Sequence, residues 1–202
     1  MPNSSLETKH LRRPTWLTFN TKEIALIAVL SSIWIVSEIY MGYYIGQITH
    51  VHGVTERLVA WFLMLVLAEI SGKFGRVTTM AIISATATRV IRQSALEGLV
   101  VGLGYVLGGL IFDLLFFIPY ANKIEGKIRK IWILATSVIS GIAALIPYLF
   151  MKLAILGIYG FIAFSPQYAY SLGKGTVLSF LGTFIGLPFL SQIKAWRSRI
   201  RT

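Results

Sequence analysis

The chain has 202 residues, of which 55% are hydrophobic and 13% are charged, and its net charge is +11. Soluble domains carry about 25% charged residues, so this composition and a mean hydropathy of +0.72 indicate a membrane protein. The sequence has no cysteine, which excludes disulfides, iron–sulfur clusters and thiol nucleophiles. The positive charge lies in short clusters between apolar segments, so it does not indicate a nucleic-acid-binding protein.

The chain begins with a basic segment over residues 1–21, which lacks the apolar core and small-residue cleavage site of a signal peptide. Six apolar segments follow, and each predicts a membrane helix. They cover residues 22–45, 56–71, 77–91, 94–120, 131–156 and 172–193. We therefore predict an all-α integral membrane protein with one bundle of six transmembrane helices over residues 22–193, followed by a basic tail over residues 194–202.

Local patterns define several segment ends. Asn20 with Glu23 predicts a capping box at the first segment, and Ser94 with Glu97 predicts another at the fourth. The second and third segments are short, because about 15 residues span roughly 22 Å of a hydrocarbon layer that is about 30 Å thick. The longest predicted loops cover residues 47–55 and 157–171. The second loop is aromatic and uncharged, which is typical of a cover at the membrane interface.

The basic residues predict that both termini are cytoplasmic. With the N-terminus inside, five of the nineteen basic residues lie on or near the outer side and the other fourteen lie inside. The outer five are Arg57, Arg89, Arg92, Lys152 and Lys174. An even number of crossings keeps both basic termini inside, as the positive-inside rule requires. We expect a multi-pass protein of the cell membrane.

Motifs for common enzymatic chemistry are missing from the sequence. It contains no GxxxxGK[ST] phosphate loop, no GxSxG elbow and no HExxH pair. We therefore expect no catalytic residues and no bound cofactor in this chain. His50 and His52 are two possible metal ligands without a fixed third ligand, and we interpret them as part of a solvated loop rather than a metal site.

Charged and aromatic residues from several segments are predicted to converge near the outer side. Ionisable residues inside membrane segments are costly and usually face the bundle interior or a wet cavity, and Glu38 and Arg89 fit this description best. A small polar or aromatic ligand requires such charges beside aromatic planes. The alternative interpretation is that Arg92 and Lys174 extend to lipid headgroups and that Trp34 faces lipid. The candidate substrate-binding residues are Trp34, Glu38, Arg89, Arg92, Tyr148, Lys152, Gln167 and Tyr168.

Small residues form helix surfaces that allow close approach of another helix. Ala25, Ala28 and Ser32 form such a stripe on the first segment, which fits either a partner protein or internal packing. We interpret the glycines of the fourth and sixth segments as internal contacts; they are Gly98, Gly102, Gly104, Gly108, Gly109, Gly182 and Gly186. Glu69 and Asp113 lie in the inner halves of their segments. They are candidates for contact with a partner or for internal pairing with Lys73, Arg76 or Lys127.

The size, the six predicted spans, the basic cytoplasmic termini and the missing ATPase motif resemble the substrate-binding S component of an energy-coupling-factor (ECF) vitamin transporter. Residues 22–32 (KEIALIAVLSS) resemble the first helix of that family, and residues 97–104 (EGLVVGLG), running on to 113–115 (DLL), resemble its glycine-rich stretch. The resemblance covers residues 22–193. The family motif Ala-xxx-Ala reads Ala28 to Ser32 here, with serine in the second position. The subfamily stays open, because the first helix is similar to that of the thiamine and hydroxymethylpyrimidine group whereas the outer basic residues equally suit an anionic vitamin.

The resemblance implies a mechanism and partners. An S component binds a vitamin or vitamin precursor from outside, docks on a transmembrane coupling protein with two ATPase subunits, and topples to release its substrate inside. It also implies that the chain is not an enzyme and that Ala25, Ala28 and Ser32 face the coupling protein.

Two other functions stay open from the sequence. One is a small integral membrane enzyme acting on a lipid or a lipid-soluble substrate, with His50, His52 and Glu56 at the outer interface and Glu38 as a base. The other is a structural subunit of a larger membrane complex, which predicts no pocket and no ligand.

Overall fold

The computed structural model describes residues 18–49, 53–93, 96–121, 124–190 and 192–193, and its regular elements over these residues are all helical. Helix α1 (Thr21–Val36) continues through a π-helical turn (Ser37–Met41) into α2 (Gly42–Thr49). The following helices are α3 (Val54–Ser71), α4 (Arg76–Ile91), α5 (Leu96–Ala121), α6 (Gly126–Ala143), α7 (Ile146–Ala163) and α8 (Ser165–Gly186), before a 3-10 turn (Leu187–Phe189). The predicted basic N-terminal segment up to residue 17 and the basic tail lie outside the described residues.

Four helical stretches are long and apolar enough to cross a membrane. They are Thr21–Met41, Leu96–Ile118, Gly126–Ala163 and Ser165–Phe189. The chain therefore has the composition and helix lengths of a membrane protein. Helices α3 and α4 are not among these stretches.

Helix α3 lies in the centre of the bundle. It packs against α8, and it also contacts α1, α4 and α5. Trp61, Met64, Leu65 and Leu67 are fully buried within the main hydrophobic cluster. A helix surrounded by other helices does not need to match the thickness of the lipid, which gives a physical reason for the short second segment.

The structure corrects the predicted fifth segment and the aromatic loop. The sequence predicts one helix over residues 131–156 and a loop over residues 157–171, but α6 ends at Ala143, α7 starts at Ile146, and α8 starts at Ser165. Pro147 lies in the first turn of α7 and Pro166 in the first turn of α8. A proline in a first turn costs no helical hydrogen bond, so both prolines mark helix starts. The remaining interruption is Gly157, whose φ of 64° is readily adopted by glycine.

Two glycines confirm the predicted internal helix contacts. A methyl group on Gly104 of α5 would overlap the carbonyl oxygen of Ala144, and one on Gly182 of α8 would overlap the carbonyl oxygen of Leu58. Both neighbouring atoms belong to the backbone and cannot rotate away. These glycines therefore allow the backbone of α5 to contact the backbone of the turn after α6, and the backbone of α8 to contact that of α3. At the start of α1, Asn20 and Glu23 form the predicted capping box.

Candidate functional site

A cavity of about 190 Å³ opens at the end of the bundle where α3 begins. Five parts of the chain contribute to it, namely α3, α5, the turn between α6 and α7, α7 and α8. Its lining combines three charged side chains and two tyrosines with small and apolar residues. They are Gly53, Glu56, Arg57, Val101, Tyr105, Ala144, Leu145, Tyr148, Ser171, Lys174 and Gly175. The cavity therefore has the composition of a small-molecule site.

Arg57 contributes a guanidinium group that is held by aromatic rings. Its Cζ atom lies 5.9 Å from the ring centre of Trp61 and 5.9 Å from that of Tyr105, within the range of cation–π attraction. Its Nη1 atom donates a long hydrogen bond of 3.5 Å to the Gly141 carbonyl oxygen. Among the described residues, no carboxylate forms an ion pair with Arg57.

Glu56, the acidic residue of the lining, already has a cationic partner. Nη1 of Arg92 lies 3.2 Å from Oε1 of Glu56 and 3.9 Å from Oε1 of Glu38. Arg92 also donates through Nη2 to the backbone carbonyl of Glu38. Arg92 therefore connects the cavity wall to the helical run of α1 and α2, and it has a role other than reaching lipid headgroups.

Glu38 and Arg89 form a buried pair next to this network. Nη2 of Arg89 lies 2.8 Å from Oε1 of Glu38, and the indole N–H of Trp34 donates to Oε2 of Glu38 at 3.2 Å. The Nε and Nη2 atoms of Arg89 nevertheless lack a partner with hydrogen-bond geometry, as does Oε1 of Glu38. The contact between Arg89 and Glu38 is therefore an electrostatic attraction without a hydrogen bond, and N–H donors of Arg89 remain without an acceptor.

The π-helical turn determines where Glu38 lies. It spans Ser37–Met41, and such turns are frequent at functional sites. The residue after it is Gly42, where a Cβ atom would lie 2.8 Å from Oε1 of Glu56. Glycine at this position therefore leaves room for the Glu56 carboxylate against α2.

An aromatic group borders the cavity on the side of α7. Tyr168 stacks on Phe161 with a ring-centre distance of 4.8 Å and meets Tyr148 at 6.5 Å. Nζ of Lys152 lies 3.0 Å from Oε1 of Glu97 and 5.4 Å from the ring centre of Tyr148. The segment predicted as an interfacial cover thus lies beside the cavity, although it is helical rather than a loop.

The structure brings some of the predicted site residues together. Tyr148 lines the cavity, and Trp34 packs on Tyr105 at 5.6 Å in an edge-to-face arrangement. The pair of Glu38 with Arg89 adjoins the network of Arg92. The other three predicted residues, Lys152, Tyr168 and the exposed Gln167, belong to or flank the aromatic group. Whether they contact a ligand stays a prediction.

Of the eleven lining residues, one, Tyr148, belongs to the predicted substrate-binding set. The lining residues most able to contact a ligand that the sequence analysis did not select are Arg57, Tyr105 and Lys174. The signal for Tyr105 was present, because it is a tyrosine inside the glycine-rich run GLGYVLGG. Lys174, between two glycines, was interpreted as reaching the lipid headgroups. Arg57 counted only toward the charge of the outer side.

The predicted partner surface is exposed. Ala25, Ala28 and Ser32 all lie on the open side of α1. Ala28 and Ser32 line a groove of about 430 Å³ between α1 and α4, whose other lining is mainly apolar. The Ser32 hydroxyl donates to the Ala28 carbonyl at 2.8 Å. This hydrogen bond satisfies the hydroxyl within the helix, so that Ser32 can serve as a small residue in the stripe.

Glu69 and Asp113 make internal contacts at the opposite end of the bundle. Glu69 pairs with Arg129, and Asp113 accepts hydrogen bonds from the backbone N–H and the hydroxyl of Thr78 at 2.8 and 2.7 Å. Glu69 therefore pairs internally, but with Arg129, and Asp113 is bound by Thr78 rather than by a lysine or arginine; contact of either residue with a partner stays a prediction.

The part of the chain that the structure describes contains no group of three or more His, Asp or Glu residues that could hold a metal ion. His50 and His52 lie outside the described residues, so the interpretation of these histidines and the enzyme alternative that includes them stay predictions. Ser94 lies outside them too, and with it the capping box predicted for Ser94 and Glu97.

Comparison with known proteins adds no relative. No protein family matches the chain, and neither the curated proteins nor the solved structures contain a match. Function must therefore be inferred from the cavity, its charges and the membrane character of the helices.

Proposed function

We propose that this chain is the substrate-binding membrane subunit of an ATP-driven importer for a vitamin or vitamin precursor, energised by separate coupling and ATPase subunits. The observation that carries the proposal is the cavity of about 190 Å³ at one end of the bundle. A purely structural subunit has no need of a cavity lined by charged and aromatic side chains, whereas a binding subunit requires one.

The proposal includes an arrangement in the membrane. The helical run from α1 to α2, then α3, α4, α5, α6 and α8, would make six crossings, and both basic termini would lie in the cytoplasm. The cavity would then open to the outside, where an imported substrate is captured. Helix α7 has no buried residue, and in this arrangement it lies at the outer edge of the bundle beside the cavity.

Energy must reach such a subunit from a partner. The sequence has no phosphate loop, so ATP hydrolysis would take place on other subunits. The stripe of Ala25, Ala28 and Ser32 is a suitable surface for a transmembrane coupling protein, because small residues allow a partner helix to approach closely.

Native mass spectrometry of protein extracted gently from its own membranes tests the binding function. We expect a small molecule to remain bound to the wild-type chain. Val101 lines the cavity and Leu103 is exposed on the same helix. Val101→Phe should fill the cavity and remove the bound molecule, whereas the matched control Leu103→Phe should retain it. A wild-type protein that carries only lipid, or a bound molecule that survives Val101→Phe, would contradict the proposal.

A further inference from the structure

Positively charged side chains outnumber negatively charged ones in the lining of the cavity. Arg57 and Lys174 are cations of the lining and Glu56 is its anion. Glu56 is compensated from outside the lining by Arg92 at 3.2 Å. Arg57 is left without a carboxylate partner among the described residues, which favours an anionic ligand.

Arg57 is arranged so that its edge can receive a carboxylate. Its guanidinium lies near the rings of Trp61 and Tyr105, and it has no ion-pair partner among the described residues. A methyl group on Gly175 would overlap Nη1 of Arg57, so glycine at this position maintains the space around the guanidinium. A planar guanidinium that is held by rings binds a carboxylate through two parallel hydrogen bonds.

The size of the cavity limits the rest of the ligand. A cavity of roughly 150 Å³ holds one benzene molecule, so about 190 Å³ holds one six-membered ring with a small substituent. Tyr105 and Tyr148 provide aromatic walls for such a ring. A larger ligand would extend through the open mouth of the cavity.

We propose that the cavity binds a single-ring aromatic carboxylate, with the carboxylate on Arg57 and the ring against Tyr105 and Tyr148. This inference depends on the proposed function, because it names the class of substrate that the same cavity takes. Lys174 contributes positive charge at the cavity, and Glu56 is kept from repelling the anion by its pairing with Arg92.

Three probes with the same ring and different charges test the inference. Pyridine-3-carboxylate is anionic, pyridine-3-carboxamide is neutral, and 3-(aminomethyl)pyridine is largely cationic at neutral pH. Calorimetry with the purified full chain in detergent should give the order anion, neutral, cation from tightest to weakest. Arg57→Gln should weaken binding of the carboxylate by roughly 10–100-fold, as expected for a charged hydrogen-bonded pair, and should leave binding of the amide within about twofold.

Two further variants keep the test decisive. Lys127→Gln removes the same charge from an exposed residue at the other end of the bundle and should leave all three affinities unchanged, which separates local contact from net charge. If Arg57→Gln does not fold, Gly175→Ala tests the same point, because it displaces the guanidinium without removing it. Gly175→Ala should weaken binding of the carboxylate more than binding of the amide.

Several results would overturn the inference. They are tighter binding of the amide or the cation, or equal loss of carboxylate and amide in Arg57→Gln. In another outcome, none of the three probes binds while the native protein still carries another molecule that Val101→Phe removes. That result would show that the proposed substrate class is wrong and that the proposed binding function is right. Failure of the probes together with a native protein that carries no small molecule would overturn both proposals.

Discussion

Two buried arginines on the same helix, one at each end of α4, differ in how their donors are used. Arg76 donates from Nε and Nη2 to one carboxylate oxygen of Glu23 at 3.2 and 2.8 Å, and from Nη2 to the Thr18 carbonyl at 2.6 Å. It also lies over the ring of Phe19 at 4.0 Å. Arg89 lies 2.8 Å from one carboxylate, but its Nε and Nη2 atoms have no partner in hydrogen-bond geometry.

Under the proposed function, the difference distinguishes a structural end of the bundle from the end that would bind the substrate. A buried donor without a partner is costly, and most native structures avoid it. Arg76 fastens the start of α1 to α4 and leaves little unsatisfied. Arg89 retains unused donors at the end that contains the cavity, which is where water or a ligand can supply the missing partner.

The largest expected effect is the loss of the satisfied arginine. Arg76→Met should lower the free energy of unfolding by about 3–5 kcal/mol, because it leaves the buried Glu23 without its arginine partner. Lys73 also contacts Glu23, at 2.5 Å, which places the loss toward the lower limit. Thermal and denaturant unfolding in detergent would measure the effect.

The matched control for Arg76→Met is Lys130→Met, which removes a positive charge from an exposed residue at the same end. It should change the free energy of unfolding by less than about 0.5 kcal/mol. If the two variants have the same free energy of unfolding, Arg76 does not stabilise this end of the bundle. Arg76 and Arg89 would then not differ in structural importance.

Close backbone contact should stabilise the cavity end in addition to its ion pairs. Gly104→Ala would force the Ala144 carbonyl away from α5, and we expect a loss toward the upper limit of about 1–3 kcal/mol for overpacking. Gly173→Ala is the control, because nothing lies within 4 Å of a Cβ atom there. A Gly104→Ala protein of unchanged stability would show that the turn after α6 can shift to make room for the methyl group, and that this part of the cavity wall is not rigid.

Loss of the unsatisfied arginine should affect binding more than folding. Arg89→Met should lower the free energy of unfolding by about 1–3 kcal/mol, less than Arg76→Met, because Arg76 loses its hydrogen bonds to Glu23 and Thr18 whereas Nε and Nη2 of Arg89 make none. Retention of the small molecule should fall clearly. Native mass spectrometry and unfolding, run on the same preparation, would distinguish the two effects. Equal loss of stability in the two arginine variants would make Arg89 a structural residue.

Hydrophobic patterning was sufficient to predict most of the helices. The ends of α3 and α4 follow the apolar segments closely, because the sequence is polar on both sides of them. Patterning failed at Pro147 and along residues 157–171. An apolar run without charges does not reveal whether a proline lies inside a helix or opens the next one, so two helices were counted as one and an aromatic helix as a loop.

The candidate site was predictable in part, and for a physical reason. Charges inside apolar segments stand out, so Glu38 and Arg89 could be selected from the sequence alone. The cavity itself is formed by side chains of five different parts of the chain. Arg57 and Lys174 lie near the ends of the predicted segments 56–71 and 172–193, where a cation is also expected to reach lipid headgroups. Only the three-dimensional arrangement shows that both line one cavity.

The smallest expected effect concerns the ion pair of Lys152 with Glu97, whose side chains are 24% and 54% exposed. Glu97→Gln should change the free energy of unfolding by no more than about 0.5 kcal/mol, because solvent-exposed pairs contribute little. Denaturant unfolding with Glu125→Gln, an exposed residue at the other end of the bundle, as the control would check this. A decrease in the free energy of unfolding well above about 1 kcal/mol would mean that this ion pair holds α5 against α7. The cavity end would then be stabilised by ion pairs, like the end that contains Arg76. A negligible loss would leave Gly104, the aromatic contacts and the ion pairs of Arg89 and Arg92 as the features that fix the cavity, with Arg57 available for a ligand.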